Sequence, residues 1–408
     1  MKKKIIVLIT FLLLITIYSV FYHKGRAIKF VPENADVLVL IDVKKCTRQY
    51  ISNFIMHPSQ WFRERKNRNT ASIQESGVKI PDFLQVFHIT NTKFSEWYSV
   101  VEIEDERKFL NYLKQQRFIP KEKNTFQKDQ IFLTIDGKRC IIGTSDLAFK
   151  SISNSINLKK KEYPVSSFID GSAGSISFIS GHRTRTFSID LHEDDIEIKK
   201  GVNEEDFNLM ISKLQQNSRF LETELDAKNI RNFTSFFNKT IAGSSQINHL
   251  KATADLEQVN DTIITYGYDD NFNEIEKKSF RKIIQPNYVI VLQSTDPQKT
   301  MQYFQTKKWI NAQNQFTAIP FQPNSIEQNN QGFEIKSTRN IIQLSPTLNG
   351  NYIFVRNNEM LLSSVKTLSA TERKFFSGLE YIFYGNKDDD YYIKLKFKKE
   401  KLPLILRW

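Results

Sequence analysis

Three kinds of hydrophobic pattern follow one another along this chain. The first is an unbroken apolar run. Ile5 to Tyr22 reads IIVLITFLLLITIYSVFY behind Lys2, Lys3 and Lys4. As a helix it would be about 27 Å long, near the thickness of a bilayer hydrocarbon core. A cleaved leader needs small residues ahead of the cut, and no Cys closes the run as a lipoprotein signal would require. Here bulky Val20-Phe21-Tyr22-His23 end it. The pattern therefore predicts an uncleaved signal anchor over residues 1–29, with Tyr18 and Tyr22 near the interface. The leading lysines favour the cytoplasm, which places residues 31–408 outside it. The second pattern has period two. Val31 to Asp42 reads as a turn and a buried strand, and Ile393, Leu395 and Phe397 alternate with Lys394, Lys396 and Lys398 as in a half-buried strand. The third has helical period and follows Asp105 and Asp296, each at a predicted N-cap.

The chain resembles itself. Trp97–Phe118 and Tyr288–Trp309 align without gaps, matching Val100 to Val291, Asp105 to Asp296, Lys108 to Lys299, Tyr112 to Tyr303 and Phe118 to Trp309. Each block predicts a strand, an Asp cap and an amphipathic helix, with Phe109, Leu110 and Leu113 on one helix face and Met301 and Phe304 on the other's. Further on, Lys138–Ser145 resembles Asn358–Val365. The hairpin of Ser175–Ser180 with Phe187–Leu191 resembles that of Glu380–Tyr384 with Tyr391–Phe397. Asp206–Gln215 and Ala227–Phe237 predict helices. Ala254–Leu256 and Thr262–Tyr268 predict a hairpin turning at Asn260-Asp261. Asn311–Gly332, rich in Asn, Gln and Pro, predicts a surface loop.

The expected fold class is thus α+β: an N-terminal transmembrane helix, then two related, mainly antiparallel sheet-plus-helix repeats. The expected domains are the anchor at 1–29, a first repeat at 30–165, a second at 166–398 with inserted helices and a loop at 311–332, and a basic, apolar tail at 399–408. The anchor, the Val31–Asp42 opening and the strand–Asp–helix block together resemble a group of uncharacterised, membrane-anchored bacterial proteins with duplicated α+β extracytoplasmic domains. That resemblance implies a fold and brings no activity with it.

Composition adds exclusions. The formal net charge is +13. Lys2, Lys3, Lys4, Lys24, Arg26 and Lys29 supply part of it, and Lys394, Lys396, Lys398, Lys399, Lys401 and Arg407 another, which leaves the body close to neutral. A nucleic-acid binder carries its charge on a folded face, so no nucleic-acid partner is expected. The two cysteines, Cys46 and Cys140, exclude a disulfide framework. With 14 Gly in 408 residues, and no P-loop, G-x-G-x-x-G or G-x-S-x-G, phosphate cradles and nucleophile elbows find no support.

Four local patterns carry candidate chemistry. Asp190-Leu-His192-Glu193-Asp194-Asp195 has metal-ligand chemistry but reads as a solvated turn. Ser363-Ser364-Val365-Lys366 has serine-acyltransferase spacing without companion motifs. Gly181–Arg185 reads as a basic strand-end turn, and the sequons at Asn232, Asn238 and Asn260 matter only in a eukaryotic secretory pathway. No catalytic, cofactor-binding or metal residue is therefore assigned, and no cofactor. The expected function is a single-pass cell-envelope protein of the bacterial inner membrane. Ile5–Tyr22 would contact the membrane, and a non-enzymatic ectodomain would bind or scaffold an envelope protein partner. The alternatives are an envelope hydrolase and a lipid- or polyanion-binding protein. The tail Lys398–Trp408 has three readings: insertion at a membrane interface, docking in a partner's groove, or packing back on its own sheet.

Overall fold

The computed structural model describes residues 22–61, 75–158, 163–201, 204–236, 246–319 and 324–407, apart from 26, 123, 182, 269, 271 and 366. Contacts divide the chain into two units, Met1–Lys200 with Glu400–Trp408, and Gly201–Lys399.

The first unit is built from β1 (Ala27–Ile28), β2 (Ala35–Asp42), β3 (Phe83–Ile89), β4 (Tyr98–Glu102), β5 (Ile119–Glu122), β6 (Thr125–Lys128), β7 (Ile131–Asp136), β8 (Arg139–Gly143), β9 (Tyr163–Pro164), β10 (Gly174–Ser180), β11 (Arg183–Leu191) and β12 (Asp195–Lys200). Its helices are α1 (Val43–Met56), α2 (Glu106–Gln115) and α3 (Phe149–Leu158). β1 pairs with β9; the others lie side by side, all antiparallel, in the order β5-β6-β7-β8-β4-β3-β2-β10-β11-β12. An Asp caps the start of two of these helices. Asp42 closes β2 and accepts a hydrogen bond from Lys45 N, and Asp105 does the same for Lys108 N, so orphan amides of each first turn are satisfied. One core gathers Leu38, Leu40, Phe87, Tyr98 and Ile152; another packs Phe109 and Leu113 of α2 on Val101, Leu133 and Cys140.

The second unit contains α4 (Glu204–Gln215), β13 (Leu221–Asp226), α5 (Ala227–Phe236), β14 (Ile247–Tyr268), β15 (Glu274–Ser294), α6 (Pro297–Thr306), β16 (Gln315–Phe316), β17 (Asn324–Asn329), β18 (Gly332–Ser337), β19 (Asn351–Arg356), α7 (Glu359–Ser364), α8 (Ala370–Gly378), β20 (Leu379–Lys387) and β21 (Asp390–Phe397). Its antiparallel order is β16-β17-β18-β15-β14-β13-β19-β20-β21. Alternation sorts the side chains into two layers. One packs Phe304 of α6 with Tyr288, Phe316 and Phe333; the other packs Phe207, Ile211 and Leu214 of α4 against Tyr352, Phe354 and Phe383.

The α+β expectation is corrected by this architecture. The structure is 45% strand and 25% helix, a mostly antiparallel sheet fold rather than a pair of α+β repeats. Among the described residues no helix is long and apolar enough to cross a membrane, and the run Ile5–Phe21 lies outside them. What recurs between the units is strand order, in a register other than the one expected. The helix ends after β4 and β15 do coincide: Arg117 and Lys308 both have positive φ, and Phe118 N and Trp309 N donate back to Leu113 O and Phe304 O. The other two matches fail. Arg139–Gly143 is a strand, whereas Glu359–Ser364 is a helix N-capped by Asn358. A short apolar run reads alike for both. The hairpin β10–β11 holds the place of β19–β20, not of β20–β21.

Three further differences follow from pairing. Asn260 and Asp261 are no turn, because they pair with Lys282 and Arg281 inside one continuous strand. Residues 311–332 are not a plain loop but include β16 and β17. β10 to β12 pack with the first unit, whereas the expected 165/166 boundary cuts ahead of them.

Candidate functional site

The acidic turn singled out in the sequence joins β11 to β12. His192 N donates to Asp195 O at 2.9 Å, which closes it. Alternation on β12 brings in Glu197 and Lys199, which sequence proximity alone did not suggest. His192, Asp195 and Glu197 each offer a ligand atom within 4.8 Å of the others, with the two carboxylates buried. The geometry can hold a divalent cation. Lys199 argues against that use: its ammonium stands 3.7 Å from Glu197 and 3.4 Å from Asp190, and His192 Nε2 lies 3.5 Å from Glu197. The group is an ion-pair network whose cation is already a side chain. The C-terminal tail braces the same turn. Leu404 N donates to Glu193 O at 2.6 Å, Arg407 pairs with Asp194, and Leu404 is buried. Leu404–Leu406, a 3-10 turn beside α1, thus packs on its own unit.

The serine candidate dissolves locally. Ser363 sits on α7 and donates to its own helix carbonyl, Met360 O, at 2.7 Å. Lys366 lies outside the described residues, as do His182 and Asn238. Arg183 and Arg185 are exposed at the start of β11. Both cysteines are free thiols. Burial pushes Cys140 up to about 12 and raises Cys46 more modestly, so neither is an activated nucleophile.

A polar cleft of about 550 Å³ opens in the first unit beside α3, lined by Lys121, Asp136, Asp146, Lys150 and Ser153 among others. Ser153 donates to Asp136 at 2.5 Å, and Lys121 stands 3.7 Å from Asp146. Neither His nor Cys is among the described residues that line it.

Two apolar surfaces complete the inventory. On α1, Ile51 and Ile55 lie one turn apart and exposed, with Tyr50 and Met56, and Trp61 beyond the helix is exposed as well. The start of the described chain lies against this helix: Arg48 lies over the Tyr22 ring at 4.6 Å, and Lys44 donates to His23 O.

The other surface is larger and regular. β14 and β15 stay paired from Leu250–Leu292 out to Tyr268–Glu274. β13 pairs with β14 only as far as Ala254, and β18 with β15 only from Val289. The remainder is a two-stranded arm, and α7 packs against these two strands. Directly paired residues share a face, so the pairings define each face row by row. One face carries Tyr268 with Glu274, Tyr266 with Glu276, Ile264 with Lys278, Thr262 with Phe280, and Asn260 with Lys282. On it Tyr268 is 69% exposed, Tyr266 68%, Ile264 47% and Phe280 75%. At the base the opposite face is covered, with Val259 and Gln285 buried. Sequence reasoning missed this site because Asn260-Asp261 resembled a turn. The alternation of Ile264, Tyr266 and Tyr268 was the signal that could have revealed it.

No family model, no curated protein and no solved structure matches the chain.

Proposed function

We propose that this is a cell-envelope protein held at the bacterial inner membrane through Ile5–Tyr22, whose extracytoplasmic part is a non-enzymatic binding or scaffolding module. The observation that carries the binding role is the arm. Its three exposed aromatics alone present about 400 Å², taking about 200 Å² for a whole aromatic side chain. Apolar exposure of that size is near the largest a monomer carries, and such patches often serve as contact sites. Membrane attachment is supported by the apolar run itself and by the exposed apolar residues of α1 beside Tyr22, where that run joins the described chain.

The hydrolase alternative finds a serine beside a carboxylate in the cleft of the first unit. There a carboxylate faces a serine hydroxyl, and a carboxylate is a weak base toward so poor an acid. No described residue of that cleft supplies the imidazole that would activate it.

The test is site-specific photocrosslinking in cells, with a photoreactive phenylalanine in place of Phe280 on the arm or of Leu147, an exposed residue of the first unit. The chain should stay in membranes after an alkaline wash, and Phe280 should give discrete adducts where Leu147 gives none. A chain released by the wash defeats the membrane assignment. A silent Phe280 defeats the binding assignment.

A further inference from the structure

Along the exposed face of the arm, charge is graded. Glu274 and Glu276 lie in the two rows nearest the tip, and Lys278 and Lys282 lie toward the base. Glu276 already pairs with Lys278 at 3.1 Å, which leaves Glu274 at one end and Lys282 at the other without ion-pair partners among the described residues. Between them runs the apolar stripe of Tyr268, Tyr266, Ile264 and Phe280. Such a face is complementary to itself when reversed.

We infer that the face docks on the same face of a second copy of this chain, antiparallel, about a two-fold axis near the Ile264–Lys278 row. This rests on the binding role assigned to the arm above. A closed two-fold contact uses one patch on both partners. Reversal about that row sets Glu274 of each copy over Lys282 of the other, twice. It brings Ile264 onto Ile264 and Lys278 onto Lys278, each lysine offset by its own Glu276, and it sets the Tyr266 row over the Phe280 row, so that the aromatics of the two copies meet diagonally. Stacking the arms tip on tip would instead place the Glu274 and Glu276 carboxylates together at one end, which like-charge repulsion opposes.

The area fits a weak, concentration-dependent pair. Two such stripes bury on the order of 1,000 Å² in total, the lower limit for a specific interface. Confinement to a membrane raises the effective concentration and favours such a contact without any added surface.

The experiment is charge exchange in the full chain, purified in detergent, with oligomeric state read by light scattering across a concentration series. The unaltered chain should pass from monomer to dimer. Glu274→Lys sets like charges against each other at both ends, as does Lys282→Glu, and each should weaken pairing at least tenfold. The two altered chains mixed together should pair again, because both end contacts between positions 274 and 282 become opposite in sign. Lys277→Glu, on the other face of the arm, should leave pairing unchanged. An unaltered chain that stays monomeric, or altered chains that do not pair when mixed, overturns the inference. The Phe280 photo-adduct separates the two assignments. A product of twice the chain mass supports self-pairing. A product of another mass overturns self-pairing and leaves the binding role standing, and no product removes both.

Discussion

If the arm is a contact device and not part of either core, it can be removed from a folded chain. The perturbation is excision of residues 261–281, with Asn260 joined to Lys282 by Asn-Gly. Those two residues pair directly, and Asn-Gly suits the two-residue turn such a pair needs. No described residue of the excised segment is buried. A lone two-stranded ribbon is only marginally stable, so this one adds little net free energy to the sheet it leaves. Stability should therefore change by about 1 kcal/mol or less, a few degrees at most in a chain this size. The assay is thermal unfolding followed by intrinsic fluorescence, beside the light-scattering measurement on the same samples. The shortened chain should unfold near the temperature of the full one and should not self-associate. A loss of more than about 3 kcal/mol, or failure to fold, would show that the arm supports the sheet and that its exposed face was misread.

Two other changes address the units themselves. Phe304→Ala empties a fully buried site whose ring lies 5.5 to 5.7 Å from those of Phe333, Trp309 and Phe316, and it should cost about 3–5 kcal/mol in the same unfolding assay. Asp226 N-caps α5: it accepts from Asn229 N at 2.8 Å and from Asn351 Nδ2 at 2.9 Å. Asp226→Ala should cost about 1 kcal/mol at neutral pH. Burial raises the pKa of Asp226, but the bonds from Asn229 and Asn351 outweigh it and hold the carboxyl below its ordinary 3.8. Its contribution is therefore complete above that value and fades as pH falls through the depressed one. The difference between the two proteins should shrink in acid, modestly, because water screens the site. A difference that grows in acid would refute this.

Much of the local structure was legible. Asp105 and Asp296 cap helices because an Asp before an apolar helical period has few better uses, and Phe109, Leu113 and Phe304 are buried where the period placed them. The overall class was not legible, because periodicity reports elements and not their partners. Helices of ten or so residues attached to strand ends look, in sequence, like half of an α+β layer. The apolar tetrad of Cys140–Gly143 and that of Met360–Ser363 read alike until pairing separates them. The acidic turn was visible as chemistry, yet its true neutraliser, Lys199, stands on the following strand and enters only through the pairing of β11 with β12.

The connection between β3 and β4 gives the clearest reason to look for a use of the arm. In the first unit, residues Thr90–Trp97 are enough to join two neighbouring antiparallel strands. β14 and β15 hold the corresponding places in the second unit, so strand order does not require them to run on to Tyr268 and Glu274. The extension brings exposed Tyr, Ile and Phe side chains, whose hydration disfavours the isolated chain. A ribbon that served only to close a loop would gain solubility and lose nothing if polar residues stood at 264, 266, 268 and 280. That apolar residues stand there in register, on one face, between Glu274 at one end and Lys282 at the other, is what a surface made to be covered requires.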